Sequence, residues 1–322
     1  MTDVLVVGDA NPDLILSGDV VPRFGQVEQL LDGADLVIGG SGGIFATGLA
    51  RLGRATRLVA ATGSDLLGDL MRQLLSAGGV ETTSLLRQHD HSTGITIVLT
   101  GPEDRAVLTY PGAIPLLSRD DVQSALDQAV LDGVRHVHVA SYYLLGALAP
   151  DLPGLLEDAR SRGLTTSLDP NFDPAERWDG VADLLPHLDL LLPNRQEAFG
   201  LASRLTGAAP AAVEAAAAAL AAGGPVVVVK DGADGAVSVD RSGHVRREAA
   251  TAVVTLDATG AGDTFDAAYL DSFLRGLDPQ ECLRRACLAG AISTSALGGT
   301  GGQPTIDQLS SPGRDADVLR QL

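Results

Sequence analysis

Short apolar runs typical of β-strands alternate with amphipathic helical runs along almost all of the 322 residues. Strands that are apolar throughout are buried on both faces, and helices between them connect parallel neighbours. The pattern predicts one large α/β domain, a mainly parallel sheet with helices on both sides. The predicted strands are Val4–Val7, Arg57–Ala61, Val134–Ala140, Thr165–Leu168, Leu190–Leu192, Val226–Val229 and Val253–Leu256. The predicted helices are Ser41–Leu52, Asp65–Ala77, Asp120–Leu131, Pro150–Arg162, Ala211–Ala222, Thr264–Arg275 and Pro279–Leu297.

Two segments, 14–38 and 94–112, depart from this alternation. The first is strand-like without a good helical pattern, and the second holds two strand-like runs around the turn Thr100–Asp104. Such a pair of runs is typical of a β-hairpin. We therefore expect the two segments to form a small accessory sheet outside the main fold.

Composition excludes several classes of protein. The net charge is −18 with no visible basic face, which argues against nucleic-acid binding. No apolar run approaches the ~20 residues of a membrane span, and the N-terminus has no signal-peptide core. Cys282 and Cys287 are read as reduced thiols, and His136 and His138 have no acidic or cysteine partner nearby that would favour a metal site. We expect a cytoplasmic protein.

The nine residues Asp257–Phe265 are the most informative motif. Their glycines stand between an apolar run and a predicted helix, where unpaired N–H groups and the helix dipole favour an anion. Gly260, Ala261 and Gly262 are small enough to let a phosphoryl group approach the backbone. Asp263 beside a bound anion suits a base that takes a proton from an attacking hydroxyl. The alternative is an ordinary helix start with glycines in the turn.

Polar side chains also follow several other predicted strands, at the edge where ligands bind in parallel sheets. Asn11 and Asp13 suit vicinal sugar hydroxyls, although a plain turn has the same composition. Asp169 and Asn171 could likewise be only a strand-ending turn. Asn194 and Glu197 face the same way at a helix start, so they could organise Mg²⁺ or could simply cap the helix.

The string Asp257–Phe265 and the glycines 39–43 resemble the two signatures of the ribokinase-like (PfkB) carbohydrate kinases, in the family's order and over nearly the whole chain. The resemblance implies a three-layer α/β/α fold over residues 1–322, with a β-lid made from 14–38 and 94–112. It implies that Gly260, Ala261 and Gly262 form an anion hole and that Asp263 is the catalytic base.

The same resemblance assigns the remaining sites. It implies that the acceptor is bound by Asn11, Asp13, Gly39 and Gly40, and that Mg²⁺ is organised through water by Asn194 and Glu197. The nucleotide is expected beside Asn194, Lys230, Gly232, Gly235 and Gly290. A monovalent cation such as K⁺ is expected at Asp257 and Thr259. One position departs from the family. Ile44 stands where the family usually has a sugar-binding Asn, so a less polar acceptor edge becomes possible.

The expected function is ATP-dependent phosphorylation of a hydroxymethyl group on a small sugar, with Mg²⁺ and a homodimer through the β-lid. A nucleoside kinase of the same fold is the alternative, and a non-catalytic sugar or nucleotide sensor is a third. A sugar-phosphate acceptor is less favoured, because it would want an Arg/Lys cluster and Arg105 alone could not be placed.

Overall fold

The computed structural model describes residues 2–101 and 105–310. Its strands are β1 (Val4–Val7), β2 (Asn11–Ser17), β3 (Gly33–Gly39), β4 (Thr56–Gly63), β5 (Leu85–Gln88), β6 (Ile95–Thr100), β7 (Arg105–Tyr110), β8 (His136–Ala140), β9 (Thr165–Asp169), β10 (Leu190–Leu191), β11 (Val226–Lys230), β12 (Ala236–Val239) and β13 (Val245–Glu248). Its α-helices are α1 (Ser41–Arg51), α2 (Leu66–Ala77), α3 (Arg119–Leu131), α4 (Leu152–Ser161), α5 (Val181–Leu184), α6 (Arg195–Thr206), α7 (Val213–Ala221), α8 (Ala261–Leu274), α9 (Pro279–Ser293) and α10 (Ile306–Leu309).

The large sheet has the strand order β13-β12-β11-β10-β9-β8-β1-β4-β5. All neighbours from β11 to β5 pair in parallel, and β12 and β13 continue the sheet antiparallel at one edge. The predicted mainly parallel sheet is therefore confirmed. Its parallel strands end at a common edge, which is where the polar residues after β1, β8 and β9 meet.

Helices cover both faces of this sheet. Successive residues of a strand point to opposite faces, and Leu5 and Val7 accordingly pack in a core with α3, α4, α6 and α7. Val4 and Val6 pack in a second core with α1, α2, α8 and α9. These two buried layers make the three-layer α/β/α architecture that the sequence predicted.

A second, small sheet has the order β3-β2-β6-β7. Strands β2 and β6 pair in parallel, whereas β2–β3 and β6–β7 pair antiparallel. The predicted hairpin is present as β6 and β7, and residues 102–104 of its turn lie outside the described residues. The small sheet thus draws its strands from both of the segments that break the α/β alternation.

The predicted strand Val253–Leu256 is wrong. Residues 252–256 form no strand, and the N–H groups of Leu256 and Asp257 instead donate to the Thr294 carbonyl, at 2.7 and 3.1 Å. Val254 is 91% exposed, so the apolar composition there does not reflect burial. The segment crosses from β13 to α8 along the end of α9, and α9 itself ends at Ser293 rather than at Leu297.

The two strand histidines are part of a buried polar chain. His136 hydrogen-bonds Thr165 and Ser167, and His138 hydrogen-bonds Ser167, each at 2.7 Å. Burial holds the pKa of both imidazoles below the ordinary value. Within the described residues, no group of three or more His, Cys, Asp or Glu side chains is arranged to hold a metal ion. In that same part of the chain, every helix is too short or too polar to span a bilayer.

Candidate active site

A cleft of about 890 Å³ lies between the small sheet and the carboxyl ends of the parallel strands. It is lined by Asp9, Asn11, Asp13, Gly40, Ser41, Ile44, Thr96, Val98, Arg105, Val107, Thr109, Pro111, Ser141, Tyr143, Leu144, Pro170, Asn171, Phe172, Pro174, Glu197, Thr259, Gly260 and Asp263. Seven of the residues that the sequence predicted for a site therefore share one cavity: Asn11, Asp13, Gly40, Glu197, Thr259, Gly260 and Asp263. A smaller cavity of about 260 Å³ beside Trp178 and Arg204 contains none of them.

The floor of the cleft is the start of helix α8. Gly260 precedes the helix with φ +69°, and the Thr264 N–H donates to its carbonyl at 2.9 Å. No side chain in the described part of the chain caps this helix. The Ala261 N–H donates to the Ala258 carbonyl at 3.3 Å. Since the first N–H groups of a helix have no intrahelical acceptor, the start of α8 offers further donors to an anion.

Asp263 lies in the first turn of α8 and is partly buried. Its Oδ1 accepts a hydrogen bond from the hydroxyl of Ser41, the first residue of α1, which is 222 residues away in the sequence. Burial, followed by the negative charge of Asp169, raises the pKa of the Asp263 carboxyl to about 7. A carboxylate with a pKa near neutrality is suited to accepting a proton.

Asn11 and Asp13 lie on β2, where the small sheet meets the cleft. The Asn11 amide donates to Asp13 Oδ1 at 3.3 Å and to Thr96 Oγ1 at 3.1 Å, so the two side chains are held as one polar unit. Burial and the nearby Asp9 raise the pKa of Asp13 to about 7. A Cβ on Gly39 would collide with the Asp13 carboxylate, which explains a glycine at that position on the facing strand.

The start of α1 is held by Asp9, which directly follows Gly8 at the end of β1. Its Oδ1 accepts the Gly42 N–H at 2.8 Å. This bond fixes the glycine loop at 39–43 and places Ser41 and Ile44 on the cleft wall. Ile44 is 3% exposed, and its side chain lies against the backbones of Gly260 and Gly299.

Asn194 and Glu197 form a capping box at the start of α6. The Asn194 N–H donates to Glu197 Oε2 at 2.8 Å, and the Glu197 N–H donates to Asn194 Oδ1 at 3.0 Å. The capping role that the sequence left open is therefore present. Glu197 also reaches the cleft while only 3% exposed, and burial together with Asp169 raises the pKa of its carboxyl to about 8.

Lys230, at the end of β11, lies behind the turn 260–262. Its Nζ is 2.8 Å from Asp169 Oδ2 and 2.7 Å from Asp266 Oδ2, and all three side chains are largely or fully buried. Burial opposes the charge on Lys230, but Asp169 and Asp266 outweigh it and raise the pKa of the ammonium. The ammonium lies 3.7 Å from the position that a Cβ on Gly262 would take.

The other predicted nucleotide residues lie outside the cleft lining. Gly232 and Gly235 form the turn between β11 and β12 with φ of +58° and +90°. A Cβ on Gly235 would collide with the Glu248 carbonyl, so this glycine is required by the hairpin itself. Gly290 on α9 lies against the Ala261 carbonyl and Phe265, which is a helix-packing position next to the start of α8.

Asp257 and Thr259 form a tight loop just before Gly260. Asp257 Oδ1 accepts from the Thr259 N–H at 2.9 Å and from its hydroxyl at 2.7 Å, and Oδ2 accepts from the Gly298 N–H at 2.8 Å. Arg105 reaches this loop from β7 and donates to Thr259 Oγ1 at 2.9 Å. Arg105 thereby links the small sheet to the turn 260–262.

A model of the pfkB family carbohydrate kinases matches residues 1–306. The chain belongs to this family. It is 28% identical over 306 residues to a ribokinase of Haemophilus influenzae, covering 93% of this chain and 94% of that protein. It is 29% identical over 318 residues to a nucleoside kinase of Methanothermobacter thermautotrophicus, covering 94% and 92%. The fold is shared with an Arabidopsis thaliana ribokinase complexed with ribose and ATP, at a TM-score of 0.79, 23% identity and 99% of both chains.

Several residues of this candidate site were missed from the sequence. Asp9, Ser41 and Thr96 line the cleft beside predicted residues, and Asp266 completes the buried group around Lys230. Asp9 had a usable signal, because it follows a predicted strand at the ligand-binding edge. Ser41 and Thr96 had none, since their roles come from contacts with Asp263 and Asn11, 222 and 85 residues away.

Proposed function

We propose that this carbohydrate kinase transfers the γ-phosphoryl group of ATP to a hydroxyl, most simply a hydroxymethyl, of a small sugar. The observation that carries the proposal is the position of Asp263, a partly buried carboxylate on the uncapped start of α8 that faces the acceptor cleft. A base and a set of anion-binding amides on one helical turn are the two parts that hydroxyl phosphorylation needs.

The acceptor is held by the small sheet and the glycine loop. Asn11 and Asp13 bind its vicinal hydroxyls, and the backbone at Gly39 and Gly40 lies against it. The hydrogen bonds from Asn11 to Asp13 and Thr96 position these side chains before the acceptor arrives, which reduces the entropy lost on binding. Closure of the small sheet over the acceptor excludes water and limits hydrolysis of ATP.

Proton transfer and charge stabilisation belong to the turn 260–263. Asp263 takes the proton of the attacking hydroxyl, and the Ser41 hydroxyl orients its carboxylate. The amides of Gly260, Ala261 and Gly262 stabilise negative charge on the transferred phosphoryl group. Lys230, held behind Gly262 by two carboxylates, adds positive potential at the same place.

Mg²⁺ fits the chemistry of Glu197. The buried carboxyl has a pKa raised to about 8 by burial and by Asp169, so a divalent cation nearby would favour its ionised form. Asn194 and Glu197 would hold the ion through water, in keeping with the oxygen ligands that Mg²⁺ prefers. When bound, it supplies charge neutralisation on the phosphate oxygens. The nucleotide lies along Asn194, Lys230, Gly232, Gly235 and Gly290 in this proposal.

The test is an acceptor panel with purified protein, ATP and Mg²⁺, read as ADP release, for wild type and Asp263→Asn. The amide keeps the shape of the side chain but cannot act as a base, so turnover is expected to fall by about 10²- to 10⁴-fold with ATP binding retained. Asp69→Asn, on the exposed face of α2, is the matched control and is expected to leave turnover unchanged. Wild-type turnover in Asp263→Asn contradicts the proposal. Binding of ATP without turnover on any acceptor favours a sensor.

A nucleoside acceptor is the second candidate, and the apolar wall of the cleft supports it. Ile44, Val107, Tyr143 and Phe172 line the cleft, and both aromatic rings pack edge-on to Trp178. Aromatic and branched side chains suit a flat heterocycle. Nucleosides in the same panel decide between the two, since this candidate requires turnover with nucleosides and none with free sugars.

A homodimer through the small sheet is also part of the proposal. Leu108 and Tyr110 of β7 are each 55% exposed, and Leu36 of β3 is 42% exposed. Apolar side chains grouped on one sheet are typical of an interface. Sedimentation of the wild type beside Leu108→Glu tests it, with a monomer expected only in the variant.

A further inference from the structure

The loop 257–259 was predicted to bind a monovalent cation, and its carboxylate is buried and hydrogen-bonded within the fold. Asp257 Oδ1 accepts two hydrogen bonds from Thr259, and Oδ2 accepts one from Gly298. The carboxylate is 4% exposed. Each carboxylate oxygen therefore already bonds to a donor inside the fold.

A positive charge is already present beside this carboxylate. Arg105 Nη1 lies 2.9 Å from Thr259 Oγ1 and 3.8 Å from Asp257 Oδ1. The Thr259 hydroxyl donates to Asp257 and accepts from Arg105, so it links the guanidinium to the carboxylate through two hydrogen bonds. A K⁺ ion bound at Asp257 would lie within a few ångströms of this fixed cation, where like charges repel.

We propose that Arg105 is the built-in cation of the loop 257–260 and that the enzyme therefore does not need K⁺. This inference rests on the proposed kinase function for its catalytic consequence only. Thr259 directly precedes Gly260, so the guanidinium fixes the residue from which the turn 260–262 starts. Arg105 is a positioning residue, because it acts on the transferred phosphoryl group through the loop rather than by touching it.

The origin of Arg105 on β7 adds a second consequence. The small sheet carries acceptor-binding residues on β2 and the guanidinium on β7, and β6 pairs with both strands. Seating the small sheet over the acceptor and ordering the turn 260–262 are therefore one event. An enzyme that used free K⁺ would lack this connection.

The experiment compares wild type, Arg105→Gln, Arg105→Lys and the control Arg87→Gln. Arg87 is 45% exposed, close to the 40% of Arg105, and it pairs with Asp69 at 2.8 Å. It does not line the cleft. The melting temperature of each protein, and its kcat on the best acceptor, are measured in KCl and in choline chloride at equal ionic strength. Melting requires no turnover, so it tests Arg105 even if the kinase proposal fails.

Wild type is expected to have the same melting temperature and kcat in both salts. Arg105→Gln is expected to lose about 10- to 100-fold in kcat in choline chloride, because misplaced catalytic groups cost about that much. In this variant, but not in wild type, K⁺ should raise both kcat and melting temperature. Arg105→Lys should retain more activity than Arg105→Gln, since it keeps the charge.

Three results would overturn the proposal. The first is a K⁺ requirement in wild type, which would show that the loop still binds the ion. The second is an Arg105→Gln variant that responds to K⁺ no more than wild type does. The third is a rise in the acceptor KM at unchanged kcat, which would make Arg105 an acceptor contact.

Discussion

The ammonium nitrogen of Lys230 lies 2.8 Å from Asp169 Oδ2, in a buried position behind the turn 260–262. Asp266 from α8 completes the group at 2.7 Å, so two strands and the helix that carries Asp263 meet at one cation. Burial raises the pKa of Asp266 well above its ordinary range even with Lys230 beside it. The group therefore joins α8 to β9 and β11 through one buried positive charge.

Lys230→Met is expected to destabilise the protein by about 3–5 kcal/mol, because it leaves buried carboxylates without a cation. Equilibrium denaturation by urea measures the loss. The loss should shrink at lower pH, since protonation removes the buried negative charge. Arg204→Gln breaks an exposed pair with Asp179 and serves as the control, with little change expected. Equal stability of the two variants would contradict this account.

The pH dependence of kcat/KM should follow Asp263. Its pKa is raised to about 7, mainly by burial and then by Asp169, and only the ionised carboxylate accepts a proton. Activity is therefore expected to rise with pH through about 7. Ser41→Ala removes a hydrogen bond that favours the ionised form, so the acidic limb should move to higher pH by about 0.4 to 1 unit. A shift to lower pH, or a similar shift in the control Ser161→Ala on an exposed helix end, would refute the assignment.

Gly260→Ala is expected to inactivate the enzyme and to cost more stability than Gly276→Ala. Both glycines have φ near +70°, where an L-residue loses about 1–2 kcal/mol. A Cβ on Gly260 would also lie 2.6 Å from Gly299 Cα, whereas one on Gly276 would meet no atom within 4 Å. Urea denaturation and kcat together separate backbone strain from collision. Similar values for the two variants would mean that the turn is not closely packed.

Ile44→Asn is expected to shift acceptor preference toward free sugars. The amide can bond to a sugar hydroxyl, which is worth about 0.5–1.5 kcal/mol, or about 2- to 12-fold in kcat/KM. The ratio of kcat/KM for a pentose to that for its nucleoside is the measurement, and it should rise. Ile44→Val, which keeps an apolar wall, should leave the ratio unchanged. A rise in Ile44→Val as well would point to cleft size instead of polarity.

The large sheet was predictable because its parallel strands are apolar on both faces, as in Val4–Val7. The candidate site was partly predictable because polar residues such as Asn11 and Asp13 come soon after such a strand, at the edge where ligands bind. Val253–Leu256 shows the limit of this reasoning, since its apolar residues resemble a strand while Val254 stays exposed. Contacts between side chains that are far apart in the sequence could not be predicted in this way. Neither the Ser41 hydroxyl at Asp263 nor the Arg105 guanidinium at Thr259 follows from residue type, because each joins segments more than 150 residues apart.

Strand β2 belongs to the small sheet, and it carries Asn11 and Asp13, while its neighbour β6 carries Thr96. In the proposed function, these acceptor contacts thus lie on the small sheet, whereas proton transfer belongs to α8. A graft that exchanged β2, β3 and β6 between relatives would change these acceptor contacts and leave Asp263 on its helix and Arg105 on β7 in place. Diversification of such an enzyme can therefore be confined to a small part of the chain while the reaction stays constant.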